Sequence, residues 1–139
     1  NYVVGTGSKL GTLTATSLLL QTNATTALTL DSSQRLLPTT VVVMATDTRS
    51  GAGAVSVTRD TTKLTSTGIA EAITLADGID GQLKRIVHDV DGGSMVLTPT
   101  TKTGWSTATF TNAGDSLLLE FVTTSGWVVL ASYGTGVAP

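Results

Sequence analysis

His88 is the single histidine of this 139-residue chain. A metal site or a nucleophile–base pair would therefore have to be built around it. Its local partners are carboxylates, in His88-Asp89-Val90-Asp91-Gly92. On a strand, alternate residues project to the same face, so His88 and Val90 point away from Asp89 and Asp91. Adjacent residues of one strand do not close on a single ion. The expectation is a histidine at an edge or facing solvent beside a turn. Asp77, Asp80 and Asp91 stand next to glycines as in fragments of calcium loops, but no stretch has the ligand spacing and closing glutamate of such a loop. They read as turn-forming aspartates. Gly5-Thr-Gly-Ser-Lys-Leu-Gly11 lacks the four residues between first glycine and Gly-Lys that a phosphate loop needs, and no helix pattern follows. A flexible arm is the better reading. There is no Gly-x-Ser-x-Gly elbow, and the two Glu and eight Asp, Asp115 and Glu120 among them, lie mostly at turns. With no cysteine, thiolate metal sites, disulfides and a thiol nucleophile are all excluded. No catalytic residue, metal or cofactor is expected.

Binding chemistry is the remaining possibility. A module for host-surface glycan would use an exposed aromatic ring, and Trp105 in Lys102-Thr-Gly-Trp-Ser106 is the natural platform, with Lys102 beside it. The competing reading places the aromatics in packing. Trp127 opens the apolar run Trp-Val-Val-Leu-Ala, and Phe110 and Phe121 lie in alternating runs. Core or inter-subunit packing is the favoured expectation. Net charge is −2 and the isoelectric point about 5.1, so no basic field gathers phosphate backbones or anionic lipid. Nucleic acid and membrane are not expected partners, and no apolar run reaches the length of a membrane span.

The elements that must position these residues are strands. The chain holds 28 Thr, 14 Val and 4 Ile, so a third of it is β-branched. Charged residues make up 13%, about half the usual share near 25%. Texture changes near Pro38. Residues 1–40 are a Thr/Ser/Leu/Gly mixture with short alternating bursts such as Leu28-Thr29-Leu30, too lightly apolar for an independent core. They are expected to be an extended β stem for attachment or trimerisation. Across residues 41–139 about eight strand-like runs alternate with glycine turns. The runs are 41–46, 54–59, 69–75, 82–90, 94–98, 106–111, 116–122 and 127–132. Asp91-Gly92-Gly93 and Thr124-Ser125-Gly126 carry hairpin chemistry. Ile69-Ala-Glu-Ala-Ile-Thr-Leu-Ala76 also admits a short helix, though only eight residues separate its flanking glycine and Asp-Gly. The fold class is all-β, a β-sandwich or jelly-roll-like head.

The 55 residues from Gly78 to Ser132 resemble the head or knob module that ends many bacteriophage fibre, spike and capsid decoration proteins. The resemblance is carried in order by Gly78, Gly81, Gln82, Lys84, Ile86, Gly92, Gly93, Thr98, Pro99, Phe110, Gly114, Asp115, Ser116, Gly126 and Trp127. In this pattern glycines shape turns, Gln82 and Asp115 bond turn backbone, and Phe110 and Trp127 fill the core. The resemblance implies a homotrimer on the outer surface of a virion, held to the major capsid protein or other virion proteins. A decoration or cement protein, or a short head fibre, is the expected function. A tail fibre or spike tip that binds a host-surface glycan is the alternative.

Overall fold

The computed structural model describes residues 43–139, preceded by the course of three strands. The chain divides into two compact units, Asn1–Val43 and Met44–Pro139. In the first, β1 (Leu18–Thr22), β2 (Thr25–Leu30) and β3 (Leu36–Pro38) pair antiparallel in that order. The rest of the expected stem lies outside the described residues.

The second unit contains ten strands and no helix. They are β4 (Thr46–Ser50), β5 (Gly53–Val55), β6 (Thr61–Thr65), β7 (Glu71–Leu75), β8 (Leu83–Val90), β9 (Met95–Pro99), β10 (Thr107–Phe110), β11 (Ser116–Val122), β12 (Gly126–Tyr133) and β13 (Gly136–Ala138). Two five-stranded sheets result, ordered β12-β11-β8-β6-β4 and β13-β10-β9-β7-β5. From β4 to β9 the chain alternates between them at every step. Even-numbered strands pair parallel in one sheet and odd-numbered strands parallel in the other. This half is a wound coil. The second half, β10 to β13, adds antiparallel strands to both sheets.

Parallel winding departs from the antiparallel connections of a jelly roll, and two turn signals show why sequence reasoning favoured the latter. Thr124-Ser125-Gly126 does close the β11–β12 hairpin. Asp91-Gly92-Gly93 instead carries the chain from β8 in one sheet to β9 in the other. Gly92 and Gly93 are needed because loop 91–94 lies on the neighbouring connection: a Cβ on Gly92 would stand 2.4 Å from the Ser66 carbonyl oxygen, and one on Gly93 2.2 Å from that of Gly68. Stacked connections of a coil approach this closely, and glycine there serves packing as much as turning. Of the first expected run, 41–46, residues 41 and 42 lie outside the described residues; Val43 is 86% exposed and β4 begins at Thr46. Glu71–Leu75 is a strand with Ile73 and Leu75 buried, so the helical option is not taken.

The core fills the space between the sheets. Period-two burial is clearest in β11, where Leu117, Leu119 and Phe121 point inward and Ser116, Leu118, Glu120 and Val122 outward. Ile86, Leu97, Phe110 and Trp127 meet them from other strands. Each such side chain, fully buried, is worth about 1.5–3 kcal/mol. Phe121 and Trp127 pack edge to face, centroids 5.2 Å apart.

Candidate functional site

The inward face of β8 carries Lys84, Ile86 and His88, so both ionisable side chains lie in the interior with no exposed surface. Lys84 Nζ donates to the Arg59 carbonyl at 2.8 Å and to Thr62 Oγ1 at 2.6 Å. Thr62 Oγ1 in turn donates to Asp47 Oδ1. Burial pushes the Lys84 ammonium down to about 8, against the pull of the Asp47 and Asp60 carboxylates. The cluster joins β4, β6, β8 and the turn before β6. It also explains why β6 escapes detection from sequence: Thr-Thr-Lys-Leu-Thr reads as polar, yet its buried threonines have partners in the fold.

His88 is buried, not at an edge or facing solvent. The face opposite Asp89 is the one that strand alternation requires, but that face is the core. Its Nε2 lies 2.9 Å from Ser66 Oγ, while Nδ1 is buried without a partner. Ser66 Oγ also accepts from the Gly92 N–H at 2.7 Å and lies 3.3 Å from the Val90 carbonyl. One tautomer satisfies every donor: Nε2–H donates to Ser66, and the Ser66 hydroxyl donates to Val90. The unpaired atom is then only a bare acceptor, far cheaper to bury than an orphan N–H. A serine 2.9 Å from a histidine has the spacing of a nucleophile and its base. Here the serine is buried, its oxygen is occupied by Gly92, and no group reaches Nδ1 to orient the ring. The pair is a structural node between β6, β8 and the loop after β8.

Most of the polar and aromatic residues that carry the resemblance are engaged internally. Gln82 Oε1 accepts from the Ile79 N–H at 3.0 Å and its Nε2 donates to the Val57 carbonyl. Asp115, buried, accepts from the N–H groups of Thr111 and Asn112 at 2.7 and 2.9 Å. Gly81 and Gly114 have φ of 77° and 94°, the left-handed region where a side chain is strained. Pro99, Phe110 and Trp127 are buried. The Trp127 indole N–H donates to the Ala76 carbonyl at 2.9 Å. A Cβ on Gly78 would meet Gln82 Oε1 at 2.7 Å, Trp127 at 3.0 Å and Phe121 at 3.1 Å.

Trp105 is not a platform. It is 7% exposed, and its indole N–H donates to the Trp127 carbonyl at 2.8 Å. Lys102, half-buried, donates to the Pro99 carbonyl at 3.0 Å. Both close the loop between β9 and β10 over the start of β12. The glycan expectation rested on an exposed ring, and the fold spends that ring on packing. Asp77 and Asp80 act likewise: Asp77 accepts from the Thr101 N–H and hydroxyl, and Asp80 from the Thr123 N–H.

No family model and no curated protein matches the chain. Among the described residues no three His, Cys, Asp or Glu side chains are grouped to hold a metal ion. Two shallow depressions lie among the described residues. One, about 240 Å³, lies on the outer face of β8, β11 and β12, with Arg85, Val87, Leu118, Ala131 and Tyr133 in its lining. The other, about 370 Å³, lies beside Val57, Asp77, Ile79 and Gln82. Neither gathers free polar groups around an acid, base or nucleophile.

Proposed function

We propose that the chain is a non-catalytic structural module of a bacteriophage virion, a capsid decoration or cement protein or a short head fibre, working as a homotrimer against the major capsid protein. One observation carries the reading: the residues of the resembling stretch, together with the groups that chemistry would need, are spent on bonds within the fold. Gln82, Asp115, Trp127, Lys84 and His88 each tie one connection or strand to another. A protein whose buried polar side chains fasten one element to another is suited to mechanical work. Its jelly-roll-like outline is retained in this reading only as a two-layer head with strands wound in parallel.

The receptor-tip alternative loses its main support with Trp105 in the core. Electron cryomicroscopy of particles carrying a tagged copy of the chain tests the choice: density on the capsid is expected, and density confined to the tail tip overturns it. Mass photometry tests the trimer, for which a species of three times 14.2 kDa is expected. A stable monomer at micromolar concentration overturns that part.

A further inference from the structure

Among the described residues Ala70 is the one non-glycine residue with a left-handed backbone, φ 55°. An alanine is strained in that region, and such strain persists only where the surroundings over-determine it. They do so here. The Ala70 N–H donates to Ser94 Oγ at 2.9 Å and the Glu71 N–H to the Ser94 carbonyl at 3.0 Å. The Glu71 carboxylate accepts from the Thr67 N–H at 2.9 Å and from the Thr67 hydroxyl at 2.6 Å. This fastened connection between β6 and β7 carries Ile69, which is 87% exposed. Strain held to keep an apolar side chain in water stabilises nothing within the unit. A tip fixed in this way loses little freedom on docking, which is the property of a preorganised anchor.

The same unit carries a socket of matching size. The depression on the outer face of β8, β11 and β12 has about 240 Å³, below the roughly 300–1,000 Å³ of a small-molecule site. One branched side chain suits such a space. Val87, Leu118, Ala131 and Tyr133 line it, and Tyr133 is 76% exposed. The charges beside loop and socket are opposite. Arg85 lines the depression with its side chain half exposed, and Asp60 lies 3.7 Å away, beyond hydrogen-bond reach. Asp91, exposed, opens the loop that packs on the connection carrying Ile69, where a Cβ on Gly93 would stand 2.2 Å from the Gly68 carbonyl oxygen. Asp91 Oδ1 accepts from the Gly93 N–H at 2.9 Å, and no cation pairs with Asp91 among the described residues.

We propose that Ile69 of one copy seats in this depression on a second copy, with Asp91 meeting Arg85. The pair sets register more than affinity, as exposed charges at an interface do. Loop and depression share no residue, so the contact is heterologous. Each copy gives its loop to one neighbour and takes the loop of the other, and such contacts close a ring where the rotation allows. In a ring the copies point the same way along its axis. The loop after β6 and the Val87–Tyr133 side of the depression both lie toward the end where the parallel strands β6 and β8 finish. Ile79, 75% exposed, lies at the opposite end, in a turn whose left-handed residue is Gly81 and holds no strain.

The inference rests on the homotrimer of the reading above and supplies its contact, and thiol cross-linking of the full chain separates the two. With no cysteine in the chain, introduced thiols report the contact without background. Ile69→Cys and Ala131→Cys, each alone, are expected to give no disulfide dimer under mild oxidation. The two co-expressed are expected to give one, and the double variant, fully oxidised, to stop at a covalent trimer. A dimer from Ile69→Cys alone, or a double variant that stops at two chains or runs past three, overturns the ring. An assembled wild type whose double variant stays unlinked overturns the contact and leaves self-association standing. A monomeric wild type overturns both. Sedimentation needs no thiol: Ile69→Ser is expected to dissociate at a concentration at least about tenfold higher than the wild type, the shift that about 1.4 kcal/mol produces, and Ile79→Ser to dissociate as the wild type does. Equal dissociation of Ile69→Ser and wild type overturns the proposal.

Discussion

At the scale of the residue, Lys84 has the largest measurable consequence. Its ordinary value is 10.5 and the fold holds it at about 8, so above pH 8 the native state gives up its proton while the unfolded chain keeps it. The sign follows. Stability rises as pH climbs from about 8 to 10.5 and is lost as pH falls through 8, because the folded state must then bury an ammonium. The span amounts to about 3 kcal/mol at 1.36 kcal/mol per unit. Urea unfolding at pH 7.5, 9 and 10 should show this rise in the wild type and not in Lys84→Met. Asp115 is the second case. Removing its carboxylate leaves the N–H groups of Thr111 and Asn112 without acceptors beside β11. Asp115→Ala should cost about 2–3 kcal/mol, read from the denaturation midpoint at pH 7.

At the scale of the element, glycines that look equivalent in sequence separate into two kinds. Gly78 is crowded by Gln82 Oε1 first and then by Trp127 and Phe121, whereas Gly81 has φ of 77° and nothing near the position of a Cβ. Gly78→Ala should therefore destabilise by overpacking, about 1–3 kcal/mol, and be partly relieved by Trp127→Phe in the same chain. Gly81→Ala carries only the backbone cost of a left-handed residue, about 1 kcal/mol, and no such rescue. Thermal unfolding of the three single variants, Gly78→Ala, Gly81→Ala and Trp127→Phe, and of the two double variants distinguishes the two origins. The hairpin at Thr124-Ser125-Gly126 was legible because its turn chemistry is local. The connection at Asp91-Gly92-Gly93 was not, because a turn within a sheet and a turn between sheets use the same residue types. β6 was hidden for a related reason. Its threonines are buried by Lys84 and Asp47, which stand 22 and 15 positions away in the chain.

At the scale of the whole molecule, the core of Met44–Pro139 is lined by that unit's own residues, from Val55 to Trp127. A fragment of residues 44–139 should unfold in a single cooperative transition, with far-UV circular dichroism typical of strand. Multiple transitions would show that the core is incomplete without the preceding residues. Parallel winding makes most pairings non-local, so refolding should lie in the millisecond-to-second range of β sandwiches, measurable by stopped flow.

The sequence by itself determined the class: β-branched content, glycine spacing and alternating runs favour strands, and a short helix at residues 69–76 would not have changed it, because those preferences act within a few residues. It also placed Gln82 and Asp115 on turn backbone and Trp127 in the core. Tertiary structure alone decided which face His88 takes, that Trp105 is covered, and that six strands wind in parallel. The physical reason is common to all three. A period of two shows which residues share a face, while which face is the interior depends on the sheet packed against it, and that sheet comes from distant chain.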